Sequence, residues 1–192
     1  MKLDNMKTAF TIAANLLLCS IVLVKPKTIG ERYLYHVNTY NADSLDKMLA
    51  DDFILKRNFT TFTNNKQTFL TTYLRNSSRV HGRYDVVSKT SNGNPEVFLV
   101  ENSSDVFTYL LADKPKWQLS VHTNKNSLVN VVQIDTVAGY SVYKQTLDFV
   151  QQRFNNWLDK AHPGETTNIL IGDTTDLYTK RLIEFQKMVI ED

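Results

Sequence analysis

The apolar pattern of this chain changes period near residue 80, and that change constrains its fold class more than any motif does. Before residue 80, apolar residues recur every three or four positions. Ile29, Tyr33, Val37 and Tyr40 make one face of a helix, and Leu45, Met48 and Leu49 the inner face of a second, shorter one. Phe69 with Tyr73, and Leu70 with Leu74, are i,i+4 pairs of a third. Asp43 and Asn64 are the expected N-caps of the second and third helices. Residues 52–62 between them read as a strand with Phe53, Leu55, Arg57 and Phe59 on one side of the pleat. From Gly82 onward the period is two. Tyr84, Val86 and Ser88 alternate with Asp85, Val87 and Lys89, and residues 96–101, 106–112, 116–123 and 128–136 read as further strands. Their connections are short and rich in Asn, Ser, Gly and Pro, as in Ser91-Asn92-Gly93-Asn94-Pro95. Consecutive hairpins predict an antiparallel meander, and helices followed by such a sheet give an α+β fold.

After residue 138 the helical period returns. Tyr143, Leu147, Val150, Phe154, Trp157 and Ala161 predict a long amphipathic helix, stopped by His162-Pro163-Gly164. Residues 168–172 form a short apolar run, read as an edge strand or a tucked loop. Tyr178, Leu182, Phe185 and Val189 mark a last helix. The expected organisation is a hydrophobic leader over residues 1–27, a folded domain over 28–138 and a helical extension over 139–192.

The leader contains seventeen uncharged residues, 8–24, flanked by Lys2 and Lys7 before and Lys25 and Lys27 after. As a helix it would be ~26 Å long at ~1.5 Å per residue, close to the ~30 Å of a bilayer core. A charged start and an apolar run match a secretory signal, but no small-residue cleavage pattern follows Val24. Leu16-Leu17-Leu18-Cys19 only loosely matches a lipidation box. An uncleaved signal anchor, a poorly marked signal peptide and a weak lipidation site stay open. All three predict export to the periplasm or another extracytoplasmic space, with membrane attachment if the segment is retained.

The net charge of +2 is unevenly placed: +3 over residues 1–32, +1 over 33–138 and −2 over 139–192. The folded part therefore has no basic patch, and nucleic-acid binding is not expected. Hydrophobic content of 42% suffices for a core. One cysteine, Cys19, excludes an internal disulfide and a thiolate zinc site. The four histidines, His36, His81, His122 and His162, form no ligand spacing, so no metal and no cofactor is expected. His122 could pair with Asp85 or Asp105 in an acid–base dyad, but nothing local to the sequence supports the pair, and a surface histidine is the expected reading.

The segment Y-N-A-D-S-L-D-K-M-L-A-D-D-F, residues 40–53, with the element order around it, resembles the nuclear transport factor 2 (NTF2)-like and SnoaL-like superfamily. The resemblance runs from Ile29 to about Thr136. It implies a cone: a curved antiparallel sheet packed on N-terminal helices, here with C-terminal helices outside the cone or over its mouth. It also implies a pocket between sheet and helices. Tyr33, His36, Tyr40, Arg57, Tyr73, Tyr109 and Trp117 are the candidate lining residues, with a small apolar ligand as the expected occupant or a protein partner around the cone. Aromatic residues at such spacings are core more often than site. In the isomerase branch a carboxylate base follows the Ala-Asp-Asp segment. Here that region holds Lys56, Arg57 and Asn58, and the strand expected to carry the oxyanion acid holds Trp117, Gln118 and Leu119. The resemblance thus gives no steroid-isomerase set. It leaves open a binding domain, an isomerase, dehydratase or hydrolase with another Tyr/His/Arg set, and a membrane-tethered assembly module. Many relatives pair through the outer sheet face, so a homodimer through Phe98, Val100, Val129 and Val131 is expected.

Overall fold

A computed structural model describes residues 28–165 and 175–191. The leader, Cys19 and the 168–172 run lie outside the described residues.

Helix α1 (Ile29–Asn38) begins at Thr28, whose hydroxyl accepts from the Glu31 N–H while the Glu31 carboxylate accepts from the Thr28 N–H. This reciprocal box satisfies two donors that a helix start leaves open. Tyr40 falls just beyond the helix, at φ 52°. Helix α2 (Ala42–Met48) is capped by Asn41, which accepts from Ser44, and not by Asp43. Strand β1 (Leu49–Arg57) starts at once, and after a turn β2 (Thr63–Asn65) pairs back on it. The strand expected over 52–62 instead starts at 49 and stops at 57; residues 58–62 turn the chain back, with the Thr60 N–H on the Arg57 carbonyl, into the short β2. Asn65, one residue beyond the expected Asn64, caps helix α3 (Lys66–Thr68). The chain continues through a π-type turn over Phe69–Tyr73 into α4 (Leu74–Arg79).

Strands β3 (Arg83–Asn92), β4 (Glu96–Ser103), β5 (Lys116–Thr123) and β6 (Val129–Thr136) form the expected antiparallel meander. The whole sheet runs β2-β1-β6-β5-β4-β3. Its β1–β6 junction is parallel, because β1 enters from the helices at the same end as β6. The sheet is thus mixed rather than wholly antiparallel. Bulges interrupt the β1–β6, β3–β4 and β5–β6 pairings and bend the strands around the helices.

One segment changes type. Residues 106–112, read as a strand, contain helix α5 (Asp105–Tyr109). Residues 106 and 110 would share a face in a strand, but 106, 109 and 110 share one only in a helix, and packing takes the helix. Leu110 is buried with Phe154, Leu158, Leu182 and Phe185 in a second core, to which Val106 and Tyr109 add. That core is made with α6 (Tyr140–Ala161) and α7 (Thr175–Glu191). Arg181 on α7 bonds Glu165, four residues past the end of α6, at 2.7 and 2.8 Å, and Glu184 on its own helix at 2.8 and 3.0 Å; Glu184 also meets His162, just after α6, at 2.9 Å.

The main core lies between α1, α2, the Phe69 turn and the inner face of the sheet, where Tyr33, Leu45, Phe53, Phe69, Phe98 and Val129 are sealed from solvent. Phe98, Val100 and Val129 therefore cannot form an outer apolar face. Val131 does face outward, because the extra residue Asn130 in β6 shifts the register between Val129 and Val131.

Candidate functional site

The cross-strand register decides which side chains look into the concave face. Arg57 pairs with Ile134, Ile134 with Leu119 and Leu119 with Phe98. Those three apolar residues are at most 2% exposed, so their row lies on the inner face and Arg57 at its end points inward. Tyr84 and Asn102 are likewise partners across β3 and β4. These residues meet Tyr73 and Ser77 from the helices, Val37 from α1 and Phe107 from α5 around a cavity of ≈ 210 Å³.

The polar groups in this cavity are arranged as a small set. The Tyr73 and Tyr84 hydroxyls are 2.7 Å apart. The Arg57 guanidinium carbon lies 4.6 Å from the Phe62 ring centroid, a cation–π contact that holds the side chain in place. Among the described residues no carboxylate lies within ion-pair distance of Arg57. Burial pushes the Tyr84 phenol well above its ordinary value and the Tyr73 neighbour adds to this, while Arg57 pulls the other way. Tyr84 thus stays a neutral hydroxyl at physiological pH. The Asn38 side chain fixes its backbone, accepting from the Tyr84 N–H and donating to the Tyr84 carbonyl, both at 2.8 Å. That two-point bond ties α1 to the edge strand and sets the depth of the Tyr84 ring.

Of the seven residues expected to line a pocket, this cavity brings together Arg57 and Tyr73. Tyr33 is sealed behind them, stacked 6.2 Å from Phe69, with its phenol raised by burial and by Tyr73. Tyr40, at positive φ, does not line the cavity but donates to the carbonyl of Gly82 at its rim. Tyr109 packs in the second core because α5 is a helix. Trp117 stacks at 4.9 Å on Phe59 and against Tyr140, further along the inner face. His36 lines a separate cleft; burial and then Arg32 lower its pKa. Tyr84 and Asn102 were missing from the expected set. The two-residue period over 84–88 placed Tyr84 on one face, but only the pairing with Asn102 shows which face is concave.

His122 makes no dyad with Asp85 or Asp105, in line with its reading as a surface histidine. Asp105 pairs instead with His81, Nδ1 to Oδ2 at 2.7 Å, and Asp85 accepts from Ser103. His122 stands on the outer face, where burial and Lys56 lower its pKa. His81 sits between the rim residues Val80 and Gly82, but its side chain is 76% exposed. No group of three metal-ligating side chains occurs among the described residues.

No family model and no curated protein matches the chain by sequence. Solved structures do resemble it. An NTF2-like protein of unknown function from Cytophaga hutchinsonii is 12% identical at a TM-score of 0.42, over 58% of this chain and 92% of that one. A protein of the SnoaL-like family from Agrobacterium tumefaciens is 13% identical at 0.45, over 57% and 95%. A protein with a ketosteroid isomerase-like fold from Catenulispora acidiphila, solved with trimethylamine, is 8% identical at 0.44, over 56% and 85%. The likeness is to NTF2-like folds. It concerns fold and no chemistry, and the fold itself stands on the element order, the strand order and the concave core described above.

Proposed function

We propose that this chain is an NTF2-like binding domain whose concave pocket takes a small, mainly apolar molecule carrying a carboxylate. The supporting observation is Arg57, an inward-facing cation with no carboxylate partner among the described residues, beside the hydroxyl pair of Tyr73 and Tyr84. A half-buried guanidinium is most stable beside an anion, and its planar fork matches a carboxylate. The ≈ 210 Å³ cavity is smaller than the ~300–1,000 Å³ of pockets for drug-sized ligands, which points to a compact molecule. Val37, Val80 and Phe107 supply its apolar wall. Benzoate is a suitable probe. Calorimetric titration is expected to show binding to the wild type and roughly tenfold weaker binding to Arg57→Gln, for the loss of one charge-assisted contact. Equal affinity in both proteins refutes the reading.

The hydrophobic leader supports placing this domain outside the cytoplasm, exported or tethered. No helix among the described residues is long and apolar enough to cross a membrane. Intact mass of the protein from membrane, cytosolic and secreted fractions tests this; unprocessed chain in the cytosol alone refutes it.

The His81–Asp105 pair favours a second reading, an isomerase, dehydratase or hydrolase acting at the pocket mouth. Asp105 would orient the imidazole and leave Nε2 as a general base. Its exposure makes binding the stronger reading. Turnover on a substrate panel that His81→Gln abolishes would reverse that order.

A further inference from the structure

A second cleft, of ≈ 320 Å³, shares no lining residue with the Arg57 pocket. Its walls are α1, α2 and the turn between β5 and β6. Three basic side chains converge there: Arg32 and His36 from α1, spaced i,i+4, and Lys47 from α2. Ile29, Met48 and Leu128 give it an apolar floor. Among the described residues, neither Arg32 nor Lys47 has a carboxylate within ion-pair distance. Of the nearby acids, Glu31 bonds the Thr28 N–H and Lys89, Asp46 pairs with Lys66, and the exposed Asp43, four residues before Lys47 on α2, does not come within ion-pair distance of it. His36 Nδ1 is buried without a hydrogen-bond partner. Buried polar atoms are satisfied in the great majority of cases, by protein, ordered water or a bound molecule, so this one calls for a water or a bound group. With no protein bond setting its tautomer, the imidazole can present an N–H to a ligand.

We propose that this cleft is a binding site for a small phosphate-bearing molecule, its phosphate held by Arg32, His36 and Lys47 and its apolar part resting on Ile29, Met48 and Leu128. Two cations and an imidazole match the charge and acceptor number of a phosphate better than those of a carboxylate, which one arginine can saturate. The volume leaves room for a body beyond the phosphate. Two sources share this chemistry, a soluble phosphate monoester and the headgroup of an anionic lipid.

The test uses the full-length chain in non-ionic detergent at low ionic strength, where partly exposed charges are least screened. Inorganic phosphate, phenyl phosphate and dihexanoyl phosphatidic acid are titrated while the imidazole resonances of the four histidines are followed by NMR. Phenyl phosphate or the short lipid is expected to shift the His36 resonance and to bind more tightly than inorganic phosphate. Arg32→Ala and Lys47→Ala should each weaken binding about tenfold. Both residues are exposed, so these variants should fold, and a wild-type circular dichroism spectrum checks it. Tighter binding of phosphatidic acid identifies a lipid headgroup, and tighter binding of phenyl phosphate a soluble ester; either supports the site. Absence of a His36 shift with all three probes overturns the proposal, as does an affinity unchanged in the Arg32→Ala/Lys47→Ala double variant. The outcome is independent of benzoate binding at Arg57, which the double variant leaves in place.

Discussion

Replacing Glu96 with glutamine tests how the start of α1 is anchored to the sheet. Glu96 opens β4 and is 8% exposed. Its carboxylate accepts from the Gly30 N–H at 2.8 Å, from the Thr28 hydroxyl, and from Lys89 Nζ at 2.6 Å. The Lys89 and Glu96 side chains are only 16% and 11% exposed, so their attraction is little screened. Removing one partner of a buried pair costs about 3–5 kcal/mol. Glutamine keeps a carbonyl oxygen for the Gly30 N–H, and Glu31 remains 3.5 Å from Lys89. The expected loss is therefore lower, about 2–3 kcal/mol, or about 5–10 °C in Tm for a chain of this size. Guanidinium denaturation measures it. Glu96→Gln combined with Lys89→Met should cost at least about 1 kcal/mol less than the two single changes added together. The same network predicts a pH dependence. Burial pushes the Glu96 carboxyl up, but the bonds from Lys89, Thr28 and Gly30 outweigh it and hold the pKa below its ordinary value. The folded state then binds the proton more weakly than the unfolded chain. The stabilisation is complete above the unfolded value of about 4.3 and is lost as pH falls through the lower folded value. Glu96→Gln should flatten stability against pH in that acid window. A destabilisation below about 0.5 kcal/mol, or strict additivity with Lys89→Met, refutes the reasoning.

Other substitutions probe the remaining contacts. Gly30→Ala would place a Cβ 2.7 Å from the buried Phe98 ring, and the overpacking should cost about 1–3 kcal/mol by denaturant titration. Tyr84→Phe removes one member of the 2.7 Å hydroxyl pair; it should cost about 1 kcal/mol in stability and also weaken benzoate binding. Phe154→Ala opens a cavity in the second core and should cost about 3–5 kcal/mol. Because α5 joins that core to the pocket wall through Val106, the same variant should bind benzoate more weakly, and calorimetry of the folded protein checks this.

The sequence by itself determined the order of the elements. The change of period at residue 82 marks where the β3–β6 meander begins, and the turn residues mark the β3–β4 and β5–β6 hairpins within a few positions. Local signals suffice there because amphipathic period and turn chemistry act over neighbouring residues. They fail where packing chooses between periods. Residues 106–112 would serve as a strand, and only the surface offered by α6 and α7 makes α5 a helix. The site shows the same division. Arg57 and Tyr73 could be named in advance as polar and aromatic residues on the right elements. Which side of the pleat is concave is settled by register across strands that are distant in sequence: Arg57 with Ile134, and Tyr84 with Asn102. The bulge at Asn130 turns Val131 away from the core that holds Val129, and no alternation rule within β6 contains that reversal. The tertiary structure also decided what each charge meets: Asp105 takes His81 rather than His122, and Arg57 is left facing a cavity. Partners of that kind depend on long-range contacts, and a one-dimensional pattern does not carry them.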